Sequence, residues 1–174
     1  MHDGEATGNA WGAGTYGDPC RECGYRWDLH PDDAAAIVAG AVDSFREALG
    51  DGDGSARHPD LAWSAGEYVC HVVDNLRIWA ERLAGATLGS PRPVAVYDAD
   101  LLATARRYAG VPPAGALWSL GRAAADWRDA VTAACTAGVV LHHPDRGPQT
   151  VADVVRTNAH DVHHHVRDVA RSLA

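Results

Sequence analysis

The residues best suited to chemistry are histidines crowded near the end of the chain. The segment NAHDVHHHVRD, from Asn158 to Asp168, holds four of the ten histidines of the 174-residue sequence. Imidazole nitrogens are common metal ligands, and carboxylates are ligands of the same class of sites. The cluster therefore predicts metal binding, with a solvated polar helix face as the alternative. An expression tag does not fit, because the histidines are interrupted and internal.

The helical period divides these histidines into two directions. A helix turns by about 100° per residue. The apolar positions that define the core-facing side are Val151, Val155, Val162, Val166, Val169 and Leu173. Asp161 and His165 fall on the flank of that side, whereas His160 and His164 point away from it. Each pair is spaced i, i+4 and can place two ligand atoms on one ion, so the spacing predicts an inward and an outward metal site.

The inward site needs a third ligand, and His71 is the best candidate. Two imidazoles and a carboxylate that leave coordination positions open are typical of a catalytic metal. Zinc is the first expectation, and nickel, iron and manganese accept the same ligands. His71 lies off the centre of its own apolar stripe, so a core histidine satisfied by hydrogen bonds is the alternative interpretation.

The outward site is completed by the pair Cys20 and Cys23. Two thiolates combined with His160 and His164 give the ligand set of a closed, structural zinc site. Such a site would attach the N-terminal arm to the last helix. The alternatives are a redox-active cysteine pair and a solvated histidine face. Cys70 and Cys135 lie within predicted helices and are expected to be small core residues.

Helical periodicity and capping signals indicate which elements carry these residues. Five helices are predicted: from Pro31 to about Leu49, from the Ser64 capping box to about Leu83, from about Leu101 to Tyr108, from Pro112 to near Gly138, and from Thr150 to the C-terminus. The segment VVLHHPDRGPQ between the last two helices is a loop or a small hairpin. Residues 1–19 are expected to be largely irregular.

These elements predict an all-α fold. It is a four-helix bundle with one short extra helix and a cysteine-bearing N-terminal arm. The expected division is an arm over residues 1–30, which carries the Cys-x-x-Cys knuckle, and a single helical domain over 31–174.

Composition limits the classes of partner. The formal charge of -8 includes no basic patch, which argues against nucleic acid. No apolar run is long enough to cross a bilayer, and the N-terminus lacks the features of a secretion signal. We therefore expect a cytoplasmic protein, monomeric or homodimeric, that acts on a small molecule and does not bind membranes.

The segments WSAGEYVCHVVDNLRIWAERL and HDVHHHVRDV resemble the DinB/YfiT-like superfamily of four-helix-bundle metalloenzymes. That superfamily includes mycothiol- and bacillithiol-dependent transferases and maleylpyruvate isomerase. The resemblance implies that His71, Asp161 and His165 are the metal ligands of the bundle. The isomerases have a glutamate at the position of Asp161 and most other members a histidine, so this chain carries a shorter carboxylate there. A register with His160 and His164 as bundle ligands is disfavoured by the helical angles.

Asp168, three residues beyond His165, is placed to orient an imidazole. Its alternative role is a solvent-facing carboxylate paired with Arg167 or Arg171. A narrower subgroup also looks similar, with CPECGF-, WSPLEYACHV-, WDQD- and HDPVHHLHDV-like segments. Here they read CRECGY, WSAGEYVCHV, YDAD and HDVHHHVRDV.

Three functions follow as hypotheses. The resemblance implies thiol chemistry, in which a low-molecular-weight thiol such as mycothiol is the cosubstrate of a transferase or isomerase. The second hypothesis is a metal-dependent hydrolase with the same ligands, and the third is a non-catalytic, metal-stabilised binding or stress protein. Candidate substrate-binding residues are Asp98 and Asp100 of the YDAD segment, together with Trp79. Helix N-capping is the alternative role of the two aspartates, above all of Asp100.

Overall fold

The computed structural model describes residues 12–90 and 92–174, so the irregularity predicted for the first eleven residues lies outside the described ranges. The helices and strands in chain order are α1 (Ala13–Tyr16), α2 (Pro31–Ala39), α3 (Ala41–Leu49), α4 (Ala65–Thr87), α5 (Ala99–Arg106), a 3₁₀ turn (Tyr108–Gly110), α6 (Pro113–Thr136), β1 (Val140–His143), β2 (Gly147–Thr150) and α7 (Val151–Leu173).

The long helices form the predicted four-helix bundle. Helices α2 and α3 together make its first member, which packs against α6 and α7. Helix α4 lies opposite and contacts the same two neighbours, so a continuous core runs along the middle. The largest fully buried side chains of that core include Trp127, Phe45, Leu76, Leu83 and Leu120. The indole Nε1 of Trp127 donates a 2.8 Å hydrogen bond to Oδ1 of Asn158 on α7, which satisfies the buried indole N–H.

The first bundle member is interrupted, which corrects the prediction of one helix from Pro31 to Leu49. Helix α2 ends at Ala39, and Gly40 serves both as its C-cap and as the N-cap of α3. Glycine is the least favourable residue after proline inside a helix, because it loses the most backbone freedom. The backbone therefore turns at the one glycine between the two predicted ends.

Capping boxes fix the starts of the two helices that carry the candidate ligands. The Glu67 carboxylate accepts a 2.8 Å hydrogen bond from the Ser64 backbone N–H at the start of α4. The Asp153 carboxylate likewise accepts from the Thr150 backbone N–H, at 2.9 Å, at the start of α7. Both caps agree with the sequence prediction, and they set the register at which the ligands enter the bundle.

A hairpin and the linker before α5 lie side by side. Strands β1 and β2 pair antiparallel, so the VVLHHPDRGPQ segment forms a small hairpin. The backbone N–H of Val94 donates to the carbonyl of His142 at 2.9 Å, and the N–H of His142 donates to Arg92 at 3.0 Å. The linker before α5 therefore runs beside β1, and Arg82 of α4 donates a hydrogen bond to the Ala95 carbonyl of that linker.

The short helix α5 begins two residues earlier than predicted. Its N-cap is Asp98, whose carboxylate accepts from the backbone N–H groups of Asp100 and Leu101 at 2.9 and 3.0 Å. The last residue of α5 and the 3₁₀ turn that follows are attached to α4 through the buried carboxylate of Asp74. Asp74 accepts a 2.6 Å hydrogen bond from the Tyr108 hydroxyl and a 2.7 Å bond from Arg106.

The arm before α2 is folded against α7, and the irregularity predicted for residues 1–19 is wrong for α1. Within this arm, the N–H of Gly24 donates to the carbonyl of Cys20 at 2.8 Å and closes a turn around the cysteine pair. The hydroxyl of Tyr25 donates to the carbonyl of Arg156 at 3.0 Å.

Within residues 12–90 and 92–174, no helix combines the length and apolar character needed to cross a bilayer.

Candidate metal centre

One cluster of ligand atoms lies between α4 and α7. His71, Asp161 and His165 each contribute one atom, and all these atoms lie within 4.8 Å of one another. The Oδ1 atom of Asp161 is 3.7 Å from Nε2 of His71 and 3.5 Å from Nε2 of His165. Two imidazole nitrogens and one carboxylate oxygen fit a divalent metal ion by their chemistry and by their convergence. The structure thus brings the three residues of the inward prediction together.

Hydrogen bonds orient two of these ligands. Nδ2 of Asn75 donates to Oδ2 of Asp161 at 2.5 Å, so the other carboxylate oxygen faces the two histidines. Nδ1 of His165 donates to Oδ2 of Asp168 at 3.0 Å, so Nε2 is the nitrogen directed toward Asp161 and available to a metal ion. Metal-ligating histidines commonly donate their second nitrogen to a carboxylate in this way. Asp168 is only 3 % exposed, so its solvent-facing alternative does not hold.

The two titrating ligands influence each other strongly. Burial alone would raise the pKa of Asp161, but the neighbouring His165 and His71 outweigh it and hold that pKa well below its usual range. Burial likewise opposes protonation of His165, yet Asp161 and Asp168 raise the pKa of its imidazole to about 9. Without a metal ion, the proton on His165 therefore supplies the positive charge that the two carboxylates require.

A second cluster lies between the arm and α7. Cys20, Cys23, His160 and His164 place one ligand atom each within 4.8 Å of the others. Sγ of Cys20 is 3.9 Å from Nδ1 of His164. The four residues predicted for the outward site are therefore adjacent.

Aromatic residues of the arm bury His160, although its position on α7 directs it away from the bundle core. The ring centroids of Tyr16, Trp27 and Tyr25 lie 4.7, 4.5 and 5.3 Å from that of His160. Burial then lowers the pKa of His160 to about 4, so its imidazole is neutral at physiological pH and retains a lone pair for a ligand.

The Cys23 thiol lacks the lowered pKa that is typical of a reactive redox cysteine. All four cysteines are free thiols. Burial raises the pKa of the Cys23 thiol to about 11 in the absence of a cation, whereas reactive cysteines have lowered pKa values. Cys70 is buried as predicted. Cys135 is exposed on α6, so its assignment to the core is wrong: that side of the helix faces solvent.

A cavity of about 400 Å³ opens beside both clusters. The side chains that surround the ligands in its lining include Tyr16, Trp63, Asn75, Trp79, Arg82, Tyr97, His143 and Arg146. The guanidinium of Arg82 lies 4.7 Å from the ring centroid of Trp79, and that of Arg146 lies 5.7 Å from it. Burial lowers the pKa of Arg146 to about 10, so the group remains a cation at neutral pH.

The sequence-predicted substrate residues take different places. Trp79 lines the cavity, while Asp98 and Asp100 are not among the described residues that do so. The Asp98 carboxylate is occupied as the N-cap of α5, so capping belongs to Asp98 rather than to Asp100. Tyr97 and Ala99, the neighbours of Asp98, face the cavity instead.

Several residues of this site are not predicted by the sequence. Asn75 had a usable signal, because it lies four residues after His71 and therefore on the same face of α4. Tyr16, Tyr97 and Arg146 come from the arm, the linker and the hairpin. Their approach to the metal cluster depends on tertiary packing, which residue spacing does not encode.

Comparison with known proteins agrees with this architecture. The model of the DinB superfamily matches residues 26–169. YfiT from Bacillus subtilis, described as a probable metal-dependent hydrolase with an unusual four-helix bundle topology, has a similar structure with a TM-score of 0.70. The similarity covers 82 % of this chain and 85 % of YfiT at 17 % sequence identity. No protein with a curated description matches the sequence significantly. Because the family model spans most of the chain, this protein belongs to the DinB superfamily.

Proposed function

We propose that the protein is a metal-dependent enzyme that acts on a small molecule in the cavity beside His71, Asp161 and His165. The observation that carries this proposal is the convergence of three ligand atoms from two helices at the wall of that cavity. Three protein ligands leave coordination positions open, as a catalytic metal requires. Zinc is the first expectation, with nickel, iron or manganese as alternatives.

The surrounding residues define what the site can do. A divalent ion held by these ligands lowers the pKa of a bound water or thiol toward neutrality. Asn75 fixes the Asp161 carboxylate, and Asp168 fixes the His165 ring, so the ligands are oriented before any substrate enters. Arg82 and Arg146 beside the Trp79 ring favour a substrate that combines an anionic group with an apolar part.

Two reactions use this arrangement. The resemblance to thiol-dependent members of the superfamily supports a transferase or isomerase with a mycothiol-type cosubstrate. The structural similarity to YfiT supports hydrolysis, in which water takes the place of the thiol. The two differ in one measurable requirement, because the hydrolase turns over without added thiol.

The test uses protein purified without an affinity tag, with its native metal quantified by mass spectrometry. Activated esters, amides and electrophilic thiol acceptors are then supplied with and without a low-molecular-weight thiol. His71→Ala should lose the bundle ion and the activity. His142→Ala, which removes an exposed histidine of β1, should keep both.

Turnover that needs no thiol supports the hydrolase, and turnover only with thiol supports the transferase. A bound cobalt ion whose spectrum does not respond to azide or thiol would indicate the non-catalytic binding protein instead. Equal metal content in the His71 variant and the native protein would contradict the proposed site.

A further inference from the structure

Beyond this proposed function, we propose that Cys20, Cys23, His160 and His164 form a closed tetrahedral zinc site that holds the arm, residues 12–28, against α7. By holding the arm, the site also builds one wall of the cavity. The inference concerns a second ion, separate from the ion of the bundle, and its role is structural.

The donor set is the first support. Two cysteine sulfurs come from a turn of the arm, and two imidazoles come from positions one helical turn apart on α7. The four ligand atoms lie within 4.8 Å of one another, and Cys20 and His160 are 2 % and 5 % exposed. Two thiolates and two imidazoles fill a tetrahedral zinc shell completely, so no position stays open for substrate.

The orientation of His164 is the second support. Its Nδ1 atom faces Sγ of Cys20 at 3.9 Å. Its Nε2 atom lies 3.5 Å from Glu22 and 3.7 Å from Asp168. A histidine that ligates through one nitrogen usually donates the other to a carboxylate, and both carboxylates here are in place to receive it.

His160 provides the third support. Its Nε2 atom is buried and has no hydrogen-bond partner among residues 12–90 and 92–174. A buried polar atom without a partner is unfavourable, and it indicates a group that protein atoms alone do not complete. The imidazole lies in a pocket of aromatic rings beside two thiols, where a soft, four-coordinate cation fits.

Tyr16 connects the proposed zinc site to the cavity wall. Its ring belongs to the arm, packs against His160 at 4.7 Å and lines the cavity. An ion that ties Cys20 and Cys23 to α7 therefore also fixes this part of the cavity wall. The arm also contacts α7 through the hydrogen bond from Tyr25 to Arg156 and through the 3.0 Å contact between Nε2 of His163 and the Cys23 carbonyl.

The first experiment measures zinc per chain and the spectrum of the cobalt-substituted protein. The native protein should hold one more equivalent of metal than the Cys20→Ser/Cys23→Ser variant, and only the native protein should show thiolate-to-cobalt charge transfer. Cys135→Ser, which removes an exposed thiol, is the matched control and should retain both signals. His71→Ala should lose the bundle ion but keep the charge-transfer band, so failure of this proposal is distinguishable from failure of the proposed function. Unchanged metal content in the double-cysteine variant would overturn the second site.

The second experiment tests the arm. Trypsin should cleave after Arg21 and Arg26, both exposed, much faster in the double-cysteine variant than in native protein or in Cys135→Ser. Equal cleavage rates would overturn the anchoring role. If the double variant does not fold, a mercurial reagent added to native protein decides: it should release one equivalent of zinc as it titrates the Cys20 and Cys23 thiols, and release of no zinc would overturn the site.

Discussion

The Oδ2 atom of Asp168 lies 3.0 Å from Nδ1 of His165, inside a shell that leaves the carboxylate almost fully buried. The same oxygen is 3.7 Å from Nε2 of His164. One carboxylate therefore faces one histidine of each ligand cluster. Asp168 is therefore placed to orient one imidazole of each candidate metal site.

Replacing Asp168 with alanine should weaken metal binding at the bundle site by about 10- to 100-fold, because His165 loses the group that orients its ring. Asp168→Asn should be intermediate, since the amide oxygen still accepts the hydrogen bond but carries no charge. Competition with a chromophoric chelator measures both affinities. Asp126→Ala, an exposed carboxylate on α6, is the control, and equal affinity in the Asp126 and Asp168 variants would contradict the orienting role.

The pH dependence follows from the raised pKa of His165. Its imidazole binds a proton in the folded, metal-free protein up to about pH 9, whereas an unfolded histidine loses it near pH ~6.5. The stabilising effect is therefore fully present below about pH 6.5 and is lost as the pH rises through about 9. Metal affinity should change in the opposite direction, because the ion must displace this proton.

Thermal unfolding of the metal-free protein across this pH range measures the effect. His165→Gln should flatten the decline in melting temperature, while His142→Ala should leave it unchanged. A melting temperature of the native protein that stays constant between these pH values would show that His165 is not protonated in the metal-free fold.

Much of the fold could be predicted because the bundle depends on local signals. The apolar period and the capping boxes at Ser64 and Thr150 define where α4 and α7 begin, and these two helices carry all three inward ligands. The break at Gly40 is not predictable from the sequence, because helix periodicity continues across it. Whether a glycine bends a helix depends on the packing of both halves.

The candidate site could be predicted only as far as helix geometry reaches. The angles separate Asp161 and His165 from His160 and His164, and the structure places the two pairs in different clusters. The angles do not show that the arm covers His160, because the arm carries no periodic pattern. The approach of Arg146 from the hairpin is likewise a property of the tertiary fold.

A substitution of Tyr108 tests how strongly its hydrogen bond attaches the segment after α5 to the bundle. Its hydroxyl donates to the buried Asp74 carboxylate at 2.6 Å. Tyr108→Phe should lower the free energy of unfolding by about 1.5–3 kcal/mol, as for other hydrogen bonds to charged groups. Urea denaturation of metal-free protein measures the change. Tyr97→Phe is the comparison, because that hydroxyl makes only a 3.5 Å contact with Asn75, and an equal loss in both variants would argue against a special role for the Asp74 contact.

Asn75 should act on the metal through Asp161. Its amide donates to Oδ2 of that carboxylate, and Asn75→Ala leaves the carboxylate free to rotate away from the two histidines. We expect roughly a tenfold or greater loss of affinity for the bundle ion, since outer hydrogen bonds of this kind tune metal affinity by about 10- to 100-fold. The ion of the Cys20 cluster should be unaffected, because Asn75 contacts none of its ligands among the described hydrogen bonds. Cobalt titration resolves the two sites by their spectra, with Thr132→Ala on the exposed side of α6 as the control. A loss of the thiolate-linked signal in Asn75→Ala would instead mean that the variant disturbs the whole fold.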